Sequence, residues 1–210
     1  QETTWRKHDM QRIFHTPEGV RDIYSQECSR KQKLQEKLHR VFHQYGFEDI
    51  ETPTFEYFEV FSKEVGTIPS RELYKFFDRE GNTLVLRPDF TPSVSRACAT
   101  YFNPEKEVVS LCYTGNTFIN NSSFRGRLKE TTQMGVERMG DDSPEADAEI
   151  LAMTVECLLA AGLTEFQVSV GQVDYYKAIF AQTGMSQKEE EELRELEFPR
   201  KNYFWCWKSL

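Results

Sequence analysis

The chain has 210 residues, 29% of them charged and 39% hydrophobic, the balance of a folded domain rather than a disordered chain. Lys and Arg number 26 against 34 Asp and Glu, and the net charge of −8 argues against a general nucleic-acid binder, which needs a cationic face for phosphates. No run reaches the roughly 20 apolar residues of a membrane span. No signal-peptide core is evident near the start, and Cys28, Cys98, Cys112, Cys157 and Cys206 are odd in number with no C-x-x-C pairing. A disulfide framework or zinc site is therefore not expected, and a reducing cytoplasm is.

Residues 1–9 are polar and patternless and read as a flexible leader or cloning remnant. From Asp22 to Tyr45 the apolar residues Ile23, Leu34, Leu38, Val41, Phe42 and Tyr45 fall at helical spacing, and Gly46 supplies a C-terminal stop. Pro53 interrupts a short extended piece whose alternation suits an edge strand. Leu73–Asp78 and Thr83–Arg87 flank Glu80-Gly81-Asn82 as a hairpin. Val108–Tyr113 is an apolar strand, continued by Thr117-Phe118-Ile119 after Gly115, and Glu130–Met139 alternates as a long strand. A helix spans Ser143–Ala161, with Ser143 as N-cap, Pro144 in the first turn and Gly162 beyond the end. Phe166–Val170 alternates as a further strand; helices follow around Tyr175–Ala181 and over 186–196. The order predicts an α+β domain on a mostly antiparallel sheet, over residues 10–196, followed by a tail at 197–210 that carries Trp205, Cys206 and Trp207 as an apolar patch.

Two strands carry polar faces. In LRPDFTPS, Arg87, Asp89 and Thr91 sit two apart, so an extended backbone points them the same way. In TTQMGVERMG, Gln133, Gly135 and Glu137 share a face while Met134, Val136 and Met139 roughly line the other, and the glycine leaves room for something to lie on the sheet. Two acids, a hydroxyl and an amide around one hollow suit an α-ammonium, because a buried carboxylate needs a cation. The same pattern also describes a one-sided sheet facing solvent.

TPEGVRDIYSQECSRKQKLQEKLHRVFHQYGFEDIETPTFEYFEVF (16–61), LVLRPDFTPSVSRA (84–97), YTGNTFINNSSFRGRLKETTQMGVERMG (113–140) and the stretch 142–176 together resemble a class II histidyl-tRNA synthetase-like domain over about residues 13–196. The nearest resemblance is to the synthetase paralogues that serve as regulatory subunits of ATP phosphoribosyltransferase. That resemblance implies a class II antiparallel sheet flanked by helices and no catalysis by the chain itself. The implied role is to activate a short-form catalytic subunit in a hetero-oligomer, a hetero-octamer, and to sense L-histidine in the first step of histidine biosynthesis. It also implies self-association as a dimer through Thr52–Phe61.

The synthetase's phosphate-clamping arginine corresponds to Ile119, which cannot pair with a phosphate, and a following acid corresponds to Asn121. Arg127 and Lys129 fall where the enzymes have cationic residues. Asp89, Thr91, Gln133 and Glu137 match the amino-acid pocket and are the histidine-binding residues the resemblance implies; Arg87 and Arg127 are possible supporting residues. A histidyl-tRNA synthetase core forming histidyl-adenylate, or a plain amino-acid-binding domain, are the alternatives. No cofactor is implied. His15, His39 and His43 suggest a metal at first, but no third ligand is apparent and none is expected. GNTFINNSSFRGR lacks phosphate-loop spacing, the glutamates at 189–192 read as a solvated face, and Cys98, Cys112 and Cys157 read as core.

Overall fold

The computed structural model describes residues 14–62, 68–121, 126–171, 178 and 181–184. Two compact units divide the chain, Gln1–Glu165 and Phe166–Leu210. The expected leader at 1–9, the helix at 186–196, the tail at 197–210 and most of the helix at Tyr175–Ala181 lie outside the described residues.

In the first unit, helix α1 covers Ser25–Gln44 and buries Val41 and Phe42. Gly46, at φ +79°, ends it in the left-handed conformation that glycine alone takes without strain. Strands β1 (Glu48–Asp49) and β2 (Phe55–Tyr57) follow on either side of Pro53, and a single turn of helix, α2 (Glu59–Ser62), comes next. β3 (Lys75–Phe77) and β4 (Thr83–Leu86) form the expected hairpin, whose turn is closed by Asp78 accepting from the Asn82 backbone N–H at 2.7 Å and from Asn82 Nδ2 at 2.8 Å. β5 (Val109–Phe118) and β6 (Glu130–Met139) are ten-residue strands in full antiparallel register. α4 (Pro144–Ala160) has the expected cap, with Ser143 Oγ accepting from the Ala146 N–H at 3.2 Å.

One element is unexpected. The segment after β4 does not stay extended through Thr91; it turns into helix α3, Thr91–Tyr101, with a proline in its first turn. The strands make two sheets, β1-β5-β6 with β1 parallel to β5, and an antiparallel β2-β4-β3. α3 places Val94 and Cys98 with Phe90 on one face of the larger sheet, against Val109, Leu111 and Tyr113. The opposite face packs Cys112, Met134 and Val136 with Val41, Phe42 and Phe47 around α1, and with Ile150, Met153 and Cys157 of α4. β5 is covered on both faces, which explains its nearly continuous apolar run. Strand alternation puts Met139 with Gln133 and Glu137, packed into the Phe90 cluster, and not with Met134 and Val136.

The second unit departs from expectation. Residues 166–171 form no strand, and Phe166, Val168 and Val170 are exposed. An alternating run becomes a strand only where a neighbour supplies ladder bonds, and none is recorded among the described residues.

Arg87 joins the two sheets. It is 7% exposed. Its Nε donates to the Asn116 carbonyl at 2.8 Å and its Nη1 to those of Thr52 at 2.8 Å and Pro53 at 3.4 Å. Its backbone N–H bonds Thr54 and its carbonyl accepts from Phe118, while the guanidinium stacks 4.0 Å from the Phe90 ring centre. Gly115 is required beside it, since a Cβ there would stand 2.6 Å from Arg87 Nη2 and 2.7 Å from the Phe90 ring. Arg87→Met strands those carbonyls, and the expected loss is about 3 kcal/mol, read as a lower urea midpoint at unchanged slope; an unchanged midpoint would contradict this account.

Candidate ligand pocket

Asp89 lies in the turn between β4 and α3, Thr91 is the first residue of α3, and Gln133 and Glu137 project from the α3-facing side of β6. The four sequence-derived residues thus come together, although α3, rather than an extended strand, brings the first two. Thr91 Oγ1 donates to Glu137 Oε1 at 2.7 Å, and Gln133 Nε2 to Asp89 Oδ1 at 3.3 Å. The same Asp89 oxygen accepts the Phe90 N–H at 2.7 Å.

Tyr113 is a fifth member that the sequence did not single out. Its hydroxyl donates to Glu137 Oε1 at 3.3 Å, and its ring stacks on Phe90 at 4.3 Å and 9°. It pairs directly with Gly135 across the ladder. A Cβ on Gly135 would lie 2.6 Å from the ring's Cζ, so the room expected above that glycine is occupied by Tyr113. The signal was present in the strand register: a tyrosine on β5 stands opposite the one residue on β6 without a side chain.

The electrostatics are one-sided. Glu137 is held above the usual carboxylate range, chiefly by burial; the Thr91 hydroxyl pulls back, the Asp89 charge pushes further, and Tyr113 opposes. Burial, then the Glu137 and Asp89 charges, drive the Tyr113 phenol upward as well. The donors to the two acids are hydroxyls, an amide and a backbone N–H, and among the described residues neither acid has an ion-pair partner. Such a site suits a ligand ammonium that also offers hydrogen-bonding groups.

The supporting arginines are elsewhere. Arg87 is committed to backbone carbonyls and the Phe90 ring, and Arg127 is exposed just before β6. Ile119 lies just past the end of β5, its N–H bonded to the Lys129 carbonyl at 2.9 Å. Lys129 lines a cleft of about 340 Å³ with Glu18, Tyr74, Phe118 and Glu130.

The sequence showed no third ligating side chain for His39 and His43, and the fold brings two to them from other elements. Asp49 on β1 meets both rings, at 2.5 Å from His39 Nε2 and 3.0 Å from His43 Nε2, and Cys112 stands beside it on β5. Asp49 and Cys112 are separated by more than sixty positions in sequence, and only the parallel β1–β5 register aligns them.

The family model of histidyl-tRNA synthetase matches residues 19–203. The ATP phosphoribosyltransferase regulatory subunit of Acetivibrio thermocellus is 42% identical over 183 residues, covering 87% of this chain and 44% of its own length. The crystal structure of an ATP phosphoribosyltransferase regulatory subunit/histidyl-tRNA synthetase from Bacillus halodurans superposes with a TM-score of 0.81 at 32% identity, over 89% of this chain and 48% of that one. A histidine–tRNA ligase subunit from Alicyclobacillus acidocaldarius gives a TM-score of 0.61 at 27% identity, over 71% of this chain and 42% of that one. The chain spans about half the length of the relatives it matches. With a class II synthetase-like α+β fold and a match over residues 19–203, the chain belongs to the histidyl-tRNA synthetase family, and its curated likeness lies with the regulatory subunits of ATP phosphoribosyltransferase.

Proposed function

We propose that this chain acts as the synthetase-like part of an ATP phosphoribosyltransferase regulatory subunit, binding histidine and a short-form catalytic subunit without catalysing a reaction itself. The observation that carries the reading is the gathering of Asp89 and Glu137 in one partly buried cluster whose donors are all neutral. In this reading they hold the α-ammonium and the imidazole end of histidine, with Thr91 and Gln133 fixing the carboxylate orientations and Tyr113 closing the floor. Ile119, where a synthetase needs an arginine on the ATP phosphate, supports a sensor over an enzyme. The likeness in name of the curated relatives supports the partner. Assembly into a hetero-octamer in the cytoplasm belongs to the same reading, and no helix among the described residues is long and apolar enough to cross a membrane.

The deciding experiment measures phosphoribosyl-ATP formation by a short-form catalytic subunit with and without this chain. Activation that histidine reverses is the expected result. Histidine-dependent ATP–pyrophosphate exchange by the chain alone would instead favour a synthetase, and histidine binding with neither activity would favour a plain amino-acid-binding domain.

The raised Glu137 fixes a sign. Its folded-state value lies above its unfolded one, so the ionised group opposes folding at neutral pH, and that cost fades as pH falls through the raised value toward the ordinary carboxylate range. A ligand ammonium favours the ionised form, so histidine affinity rises with pH through that same window, with proton release on binding. Glu137→Gln is expected to leave the ligand-free chain at least as stable at pH 7. The same change should weaken histidine binding on the order of tenfold to a hundredfold. Calorimetry in buffers of differing ionisation enthalpy reads both effects; full binding by the variant would remove Glu137 from the pocket.

The dimer proposed through Thr52–Phe61 finds support in β2, where Phe55 and Tyr57 are 50% and 55% exposed on either side of Glu56. Glu56 itself is buried against Arg96, at 2.7 Å. Tyr57→Glu is expected to shift sedimentation equilibrium toward monomer while leaving the circular dichroism spectrum intact, and an unshifted equilibrium would place the interface elsewhere.

A further inference from the structure

His39 and His43 sit one helical turn apart near the C-terminus of α1, on the side that faces the edge of the larger sheet. The chain then reverses at Gly46 and returns as β1, whose Asp49 pairs in register with Cys112 of β5. In a parallel pair, residues in register share a face, so the carboxylate and the thiol both rise toward the helix. One donor atom from each of the four residues lies within 4.8 Å of the other three. Asp49 Oδ1 is 2.5 Å from His39 Nε2 and 3.5 Å from Cys112 Sγ, and Oδ2 is 3.0 Å from His43 Nε2.

We infer that His39, His43, Asp49 and Cys112 form a tetrahedral site for a zinc-class divalent cation, formed by α1, β1 and β5 on the sheet face opposite the ligand pocket. Zn–N distances of about 2.0 Å and Zn–S of about 2.3 Å place tetrahedral donors roughly 3.3–3.8 Å apart. The cluster's own spacings fall on both sides of that range, so small rotations of exposed histidine and aspartate side chains suffice. Two imidazoles, one carboxylate and one thiolate are donors that select zinc over magnesium or calcium, which take oxygen ligands. Cys112 is fully buried at the floor, while both histidines and the aspartate reach solvent, which gives the ion an entry route. On binding, Cys112 exchanges its S–H bond for an S–metal bond and the proton leaves to solvent. The ion would clip the end of α1 to β1, which follows it through a tight turn, and to β5, which lies more than sixty positions along the chain and otherwise meets α1 only through apolar packing.

The test uses the 210-residue chain stripped with a chelator and titrated with Co²⁺ alone. Saturation at one ion per chain is expected, with intense visible bands of a tetrahedral ion and a near-ultraviolet thiolate-to-cobalt charge-transfer band, all abolished by added Zn²⁺. Zinc should also raise the melting temperature. Cys112→Ser should remove the charge-transfer band. Should that buried change prevent folding, the double variant His39→Gln/His43→Gln, altered only at partly exposed positions, decides the matter. It is expected to fold, to lose more than about tenfold in cobalt affinity and to show no zinc-dependent melting shift. No saturable binding, a charge-transfer band that survives in a folded Cys112→Ser chain, or unchanged affinity in the histidine double variant would each overturn the assignment.

Discussion

A single buried guanidinium organises the first unit. Among the described residues Arg87 has no carboxylate partner, and its accommodation depends on carbonyls from Thr52, Pro53 and Asn116 and on the face of Phe90. Burying an unpaired charge is costly, so those groups offset a penalty that the fold would otherwise carry. The three carbonyls come from the β1–β2 connection and from β5, and the arginine itself immediately follows β4. The smaller sheet is therefore tied to the larger through one side chain, in addition to the backbone bonds from Arg87 to Thr54 and from Phe118 to Arg87.

The same side chain sets the pocket at a distance. Arg87 lies on Phe90, Phe90 lies on Tyr113, and Tyr113 reaches Glu137. A stack of cation, ring and ring is stiff, because neither aromatic can rotate without losing a face contact. Glu137 is thereby offered a fixed donor on one side and Thr91 on the other, while its charge remains unneutralised. Tyr113, which reaches Glu137, itself belongs to the packed Phe90 cluster, so the donor to that carboxylate is held by the core.

Much of this could be read from the chain itself. The two long helices, the hairpin at Glu80-Gly81-Asn82 and the paired strands β5 and β6 follow from period, caps and turn residues, which are local. Asp89, Thr91, Gln133 and Glu137 could be grouped because each pair lies close in sequence and because the family pattern joins the pairs. What escaped was non-local or weakly marked. α3 has Val94, Ala97 and Cys98 at helical spacing, but its small residues give a faint stripe, and Asp89-Phe90-Thr91 looked extended beside it. The role of Tyr113 depends on which residue faces it across a ladder, and the Asp49–Cys112 meeting depends on a parallel register between strands more than sixty residues apart. Phe166–Val170 failed for the opposite reason, since alternation states only that one face could be covered, and says nothing of what covers it.

Tyr113 and Gly135 have a further consequence. They face one another on neighbouring strands, and the ring fills the volume that any side chain at 135 would need. Neither position can drift alone: enlarging the glycine evicts the ring, and shrinking the ring opens a void over bare backbone. The two positions therefore act as one packing unit, and any change of size at either would have to be matched at the other, with the Phe90 ring stacked on Tyr113 adjusting as well.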